Sequence, residues 1–241
     1  MTDENQNWFQ TTHWSLVLRA RDQKSTQAPE ALEQLCRIYW PPLYAYLLRQ
    51  CHRVEDAQDL TQEFFLRLIE RGWLAHLQHQ DGKFRSFLLT FLEHFLSDQR
   101  DRAKAQKRGG GVTFISLEEM QSEERSAGAP ADGLTPEQVF ERRWVQALMD
   151  QATIRLREEY LAKGEIAIYD QLKDLQPNER GALTYVQLAA QWGMTEAAVK
   201  TAKHRMNRRH QQLLREVIAH TVTRPSEIED EIRHFMRVLG G

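Results

Sequence analysis

The residues best suited to chemistry are cations on one face of a short segment. Lys200, Lys203, His204, Arg205, Arg208 and Arg209 project outward from residues 196–209, together with Glu196 and Thr201. A helix of this width fits the major groove of DNA, with polar residues near its N-terminus at base edges and basic residues at phosphates. A second basic set, Arg100, Lys104, Lys107 and Arg108, recurs at helical spacing before Gly109-Gly110-Gly111. A helix C-terminus attracts some positive charge through its dipole. Four cations on one face exceed that need and point to phosphate contact. A third set is acidic and polar: Asp56, Asp59, Gln62 and Glu63 share one face of residues 55–71. That face is either ordinary solvated surface or a docking face for a basic partner.

The elements that must position the first set form a helix-turn-helix over Leu183–Arg209. Thr184 caps a helix beginning at Tyr185, and Gln187 completes a capping box. Leu188, Ala189 and Trp192 supply its apolar face. Gly193 sits where that helix must stop, because glycine takes the left-handed conformation at little cost. Met194 is expected to plug the corner. Thr195 caps the second helix, whose inner face is Val199, Ala202 and Met206. Outward, Thr195, Glu196, Lys200, Thr201, Lys203, His204, Arg205 and Arg208 are the candidate DNA-contacting residues.

The rest of the chain also reads as helical, so the expected fold is all-α with two helical domains joined by a flexible linker. Residues 1–27 form an N-terminal extension with a short helix near Thr11–Arg21. Residues 28–111 make the first domain. It has a helix interrupted by Pro41-Pro42, a strong helix over Glu55–Arg71, a loop ending in Asp81-Gly82, and a helix from Phe84. Phe84, Phe87, Leu88, Phe91, Leu92, Phe95 and Leu96 form a core stripe. Residues 112–134 are rich in Gly, Ala, Ser and Glu and cannot bury a core, which marks a linker. Residues 135–220 make the second domain, opened by Thr135-Pro136 at a helix start. In residues 221–241 a helix after Pro225 carries Ile228, Ile232, Phe235 and Leu239. This tail either packs on the second domain as core or clamps it until a partner displaces it.

The formal net charge of −2 excludes a globally basic nucleic-acid coat. Basic charge is local, which suits a protein that meets DNA with some faces and a protein partner with others. Cys36 and Cys51 stand alone without a CxxC pair, so zinc and redox motifs lack support. His76 with His79, and His94 with Asp98, have no companion ligands or nucleophile at convincing spacing. No catalytic residues, metal or cofactor are expected, and the chain does not read as an enzyme. The polar N-terminus is unlike a signal peptide and no apolar run reaches transmembrane length, so a cytoplasmic protein without membrane insertion is expected.

Taken together, residues 28–218 resemble a sigma factor of bacterial RNA polymerase, of the extracytoplasmic-function (ECF) type. EDAQDLTQEFFLRLIER resembles the region 2 helix that binds the clamp of the β′ subunit. FRSFLLTFLEHFLSDQRDRAKAQKR is similar to the helix that melts and reads the −10 promoter element. VKTAKHRMNRRH resembles the region 4 recognition helix, which reads the −35 element. The resemblance implies core RNA polymerase (β′ clamp and β flap) and promoter DNA as partners, with an anti-sigma factor or other regulator also possible. It assigns polymerase docking to Asp56, Asp59, Gln62 and Glu63. It assigns −10 contacts to Lys83, Phe84, Arg85, His94, Arg100, Lys104, Lys107 and Arg108, the first few holding a base flipped from the melted strand. A stand-alone helix-turn-helix regulator is the alternative, but it has no need of an acidic docking helix followed by a basic one.

Overall fold

The computed structural model describes residues 26, 28–51, 53–70, 83–109, 133–175, 184–222 and 224–240; for 69–70 and 103–109 it describes the backbone alone. Among them the fold is all-α. The helices are α1 (Ala28–Gln50), α2 (Val54–Glu70), α3 (Phe84–Gly109), α4 (Pro136–Ala162), α5 (Ile166–Lys173), α6 (Tyr185–Trp192), α7 (Glu196–Ala219) and α8 (Ile228–Gly240), with a 3₁₀ turn at Pro225–Glu227. The helix expected near Thr11–Arg21, the loop holding His76 and His79, and residues 112–132 of the expected linker lie outside the described residues. No described helix is long and apolar enough to cross a membrane.

The chain forms two compact units. One comprises Met1–Ala147 with Ala219–Gly241, the other Leu148–Ile218. This differs from the expected division into residues 28–111 and 135–220. The reason lies in α4, whose apolar stripe serves two cores. Phe140, Trp144 and Val145 are buried in the first unit, and Leu148, Ala152 and Leu156 in the second. Periodicity reveals that such a stripe is buried, not by what. The last helix differs likewise: α8 belongs to the first unit, not to the helix-turn-helix unit it was expected to pack on or clamp.

The first unit is built on α1, α2 and α3. α1 packs against α2, and Leu35, Ile38, Tyr39, Leu43 and Leu47 of α1 are buried. Pro41 and Pro42 lie inside α1, which continues as one element. A proline inside a helix costs about 3 kcal/mol or more. The burial of Ile38, Tyr39, Leu43 and Leu47 around them, and of Pro42 itself, offsets that cost. Between α2 and α3 the core is aromatic: Phe64 lies 5.1 Å from Phe91 and 5.6 Å from Phe95, ring centre to ring centre. The expected stripe of α3 is buried at Phe84, Leu88, Phe91, Leu92, Phe95 and Leu96, and half-buried at Phe87.

The second unit gathers Leu148, Ala152 and Leu156 of α4 with Tyr169 and Leu172 of α5, Leu188 and Ala189 of α6, and Val199, Met206 and Leu213 of α7. The Trp192 indole N–H donates to Gln171 Oε1 at 2.7 Å, which fixes α6 against α5. Cys36 and Cys51 are half-buried and not joined in a disulfide, and burial pushes the Cys36 thiol above its ordinary pKa.

Candidate nucleic-acid interface

The helix-turn-helix is set by local chemistry at each end. The Thr184 hydroxyl accepts the Gln187 backbone N–H at 3.3 Å, and Gln187 Oε1 accepts the Thr184 N–H at 2.9 Å, closing the capping box. Gly193 ends α6 at φ +64°. The Met194 N–H reaches the Ala189 carbonyl at 2.9 Å, satisfying a helix-end acceptor. Thr195 caps α7, its hydroxyl accepting the Ala198 N–H at 3.2 Å. Met194, expected to plug the corner, is 58% exposed. The turn is held by the glycine conformation and its backbone bonds, so no side chain is needed there.

Val199 and Met206 point inward, and Lys200, Thr201, His204, Arg205 and Arg208 are exposed on one side of α7. At about 100° per residue these five span less than half the circumference, a single outward face. Glu196 borders it and pairs with Lys200 at 2.6 Å, and Lys200 also lies 5.6 Å from the Tyr185 ring. Lys203 departs from expectation. Its ammonium donates to the Leu172 carbonyl at 2.6 Å, capping the end of α5. Burial lowers its pKa, with Asp174 acting the other way. It is a structural cation here, not part of the outward face. Arg209 is likewise turned to Glu159, with Nε at 3.1 and 3.0 Å from the two carboxylate oxygens. Beside this face lies a groove of about 950 Å³ lined by Tyr160, Ile168, Leu172, Trp192, Met194 and Arg205, among others.

In the first unit, Asp56, Asp59 and Gln62 stand exposed on α2 as expected. Glu63 is half-buried and pairs with Arg67, whose guanidinium lies 4.7 Å from the Phe95 ring centre. Glu63 therefore holds a core-facing cation instead of facing outward freely. Leu66 was missed by sequence reasoning. It is 52% exposed, and its position at helical spacing from Asp59, Gln62 and Glu63 puts it within the acidic face. The signal was present as a leucine off the buried stripe.

The residues expected to hold a flipped base lie in different surroundings. Phe84 is 1% exposed and packs edge-on to Tyr39 at 5.2 Å, so it is core rather than a stacking platform. Arg85 is also buried. Its guanidinium lies 4.5 Å from the Trp144 ring centre, Nε donates to Glu141 at 3.2 Å, and Nη1 donates to Glu231. Lys83 reaches the other Glu231 oxygen at 2.5 Å. Glu231 is wholly buried and also accepts from Thr221 at 3.4 Å, while His234 lies 2.8 Å from Glu141. Lys83 and Arg85 are thus engaged by α4 and α8. His94 and Arg100 are exposed. Lys104 and Lys107 lie within α3, as does Arg108, but their side chains fall outside the described set. Among the described residues no cluster of side chains is arranged to hold a metal ion.

Residues 35–106, which span most of α1, all of α2 and most of α3, match the family model for Sigma-70 region 2. The match supports a member of the sigma-70 family with a role in promoter recognition and transcription initiation. No curated protein and no solved structure matches the chain.

Proposed function

We propose that this protein is a sigma factor of the ECF type. It would bind core RNA polymerase, recognise −35 and −10 promoter elements with its two units, and promote melting of the promoter DNA to initiate transcription. The observation that carries this is the region 2 match over residues 35–106, on a unit whose α2 exposes Asp56, Asp59 and Gln62 around Leu66. An exposed leucine on the same helix face as two exposed carboxylates suits the basic coiled-coil surface of a polymerase clamp. The outward face of α7, with Lys200, Thr201, His204, Arg205 and Arg208, suits the major groove of the upstream element. The groove beside it offers the β flap an apolar seat.

The test is reconstitution with core polymerase. The expected result is promoter-directed transcription, with duplex DNA bound specifically only when polymerase is present. Tight, specific duplex binding by the chain alone would instead establish a stand-alone regulator. Asp59→Arg should abolish association with polymerase while leaving the helical circular dichroism unchanged. Equal association would remove α2 as the docking helix.

A further inference from the structure

We propose that α8 is an autoinhibitory clasp. Its Glu231 carboxylate occupies, as an internal anion, a Lys83–Arg85 site that otherwise takes a phosphate of melted DNA. The proposal rests on the sigma-factor reading, in which the resemblance to region 2 implies −10 contacts for Lys83 and Arg85.

The chemistry of the contact is out of proportion to a packing role. An amphipathic helix can seat itself with Phe235 and Ile232 alone, of which Phe235 is 1% exposed. Placing a carboxylate at 0% exposure adds a desolvation penalty, and apolar residues of similar volume commonly serve stability as well or better. Here the carboxylate is retained and met by two cations. Arg85 Nη1 and Thr221 hydrogen-bond one oxygen, and Lys83 Nζ lies 2.5 Å from the other as an ion pair without hydrogen-bond geometry. That is how two basic side chains grip a phosphate oxygen pair.

The rest of the arrangement completes the block. Glu141 of α4 takes Arg85 Nε, and Trp144 covers the guanidinium face. His234 of α8 lies against that same Glu141. Arg85 is therefore engaged from two directions by elements that follow the expected linker in sequence. Met236 is 60% exposed on the outer side of α8, and Leu239, on the same stripe as Ile232 and Phe235, is still 48% exposed, so the last turn of the helix is only partly covered. A tethered carboxylate competes at high effective concentration, so DNA binding requires α8 to lift. The apparent affinity for DNA is then the intrinsic affinity reduced by the fraction of molecules with the clasp open.

The experiment is a salt titration of the full chain against a fluorescent, A·T-rich single-stranded oligonucleotide. Glu231→Gln should bind at least about tenfold more tightly than wild type, the gain expected when nine in ten or more of the molecules are closed. The dependence of log K on log salt should be about the same in both proteins, because the bound complex makes the same two phosphate contacts once α8 has lifted. Adding Lys83→Ala to Glu231→Gln should make that dependence shallower by about 0.7, the loss of one phosphate contact. Equal affinity in wild type and Glu231→Gln would overturn the clasp. Should Glu231→Gln fail to fold, amide hydrogen exchange of the wild-type chain decides the matter. Saturating oligonucleotide should deprotect Ile228–Gly240 while Leu35–Leu47 stays protected. Unchanged or increased protection of α8 would make it permanent core. None of these measurements contains polymerase, so a failure of the clasp is distinguishable from a failure of the polymerase-binding reading.

Discussion

The two units treat their cations in opposite ways. In the helix-turn-helix unit Lys200, His204, Arg205 and Arg208 stand in solvent on one side of α7. The unit's ion pairs lie near the surface, as with Arg209 and Glu159, whose side chains are 38% and 31% exposed. In the region 2 unit Arg85 and Lys83 are drawn inward, and Arg85 is 6% exposed against a Glu231 that is fully covered. Similar residue types therefore perform different tasks. A cation on a solvated face is available to a ligand and contributes little to folding. A cation matched to a buried carboxylate is unavailable, and the fold depends on it once the pair is made.

That contrast sets the largest expected effect. Arg85→Ala removes a guanidinium from between Trp144, Glu141 and Glu231 and leaves buried carboxylate with fewer partners. The expected loss is about 3–5 kcal/mol, measured by urea unfolding with tryptophan fluorescence. Arg209→Ala, judged by the same measurement, should cost about 1 kcal/mol or less, because water replaces its partners. Equal losses would erase the distinction between the units.

A middle-sized effect tests the turn instead of the charges. A methyl group at Gly193 would meet nothing within 4 Å, so space is not limiting. The cost of Gly193→Ala is conformational, from φ +64°, and amounts to about 1–2 kcal/mol. It should fall on the helix-turn-helix unit and leave hydrogen exchange of α1 unchanged. A loss spread equally over both units would mean that they unfold as one.

Legibility in the sequence follows the same division. Where one segment decides the structure, sequence reasoning mostly succeeded, the exceptions being the exposed Met194 and the helix that runs through Pro41-Pro42. The capping box at Thr184 and Gln187, the left-handed Gly193, the Thr195 cap and the Val199–Met206 inner face are all local. The aromatic stripe of α3 was legible for the same reason, since its spacing alone makes it core. What escaped depends on residues far apart in the chain. Arg85 is 56 positions from Glu141 and 146 from Glu231, and no periodicity links them. Lys203 carried the right charge and sat near the right face, yet two carbonyls at the end of α5 claim it. A lysine's destination is set by the acceptors that the fold brings within reach, and that information lies outside its own helix. The stripe of α4 shows the same limit, being read as buried while the unit receiving each half stayed hidden.

The smallest expected effect concerns the surface pair by itself and has a sign. The Arg209 guanidinium hydrogen-bonds the Glu159 carboxylate and holds its pKa below the ordinary glutamate value of 4.5. A depressed carboxylate pKa stabilises the fold above the unfolded value, and that contribution fades as pH falls through the folded one. Wild type should therefore exceed Glu159→Gln in stability by about 0.2–1 kcal/mol at neutral pH. The gap should close progressively once pH drops below about 4.5, the ordinary value. Thermal unfolding of both proteins across that range, at low salt, provides the comparison. A gap that persisted unchanged into acid would show that Glu159 acts through packing and uncharged hydrogen bonds. A gap larger at neutral pH than the loss from Arg85→Ala would reverse the ranking of surface and buried cations on which the comparison of the two units rests.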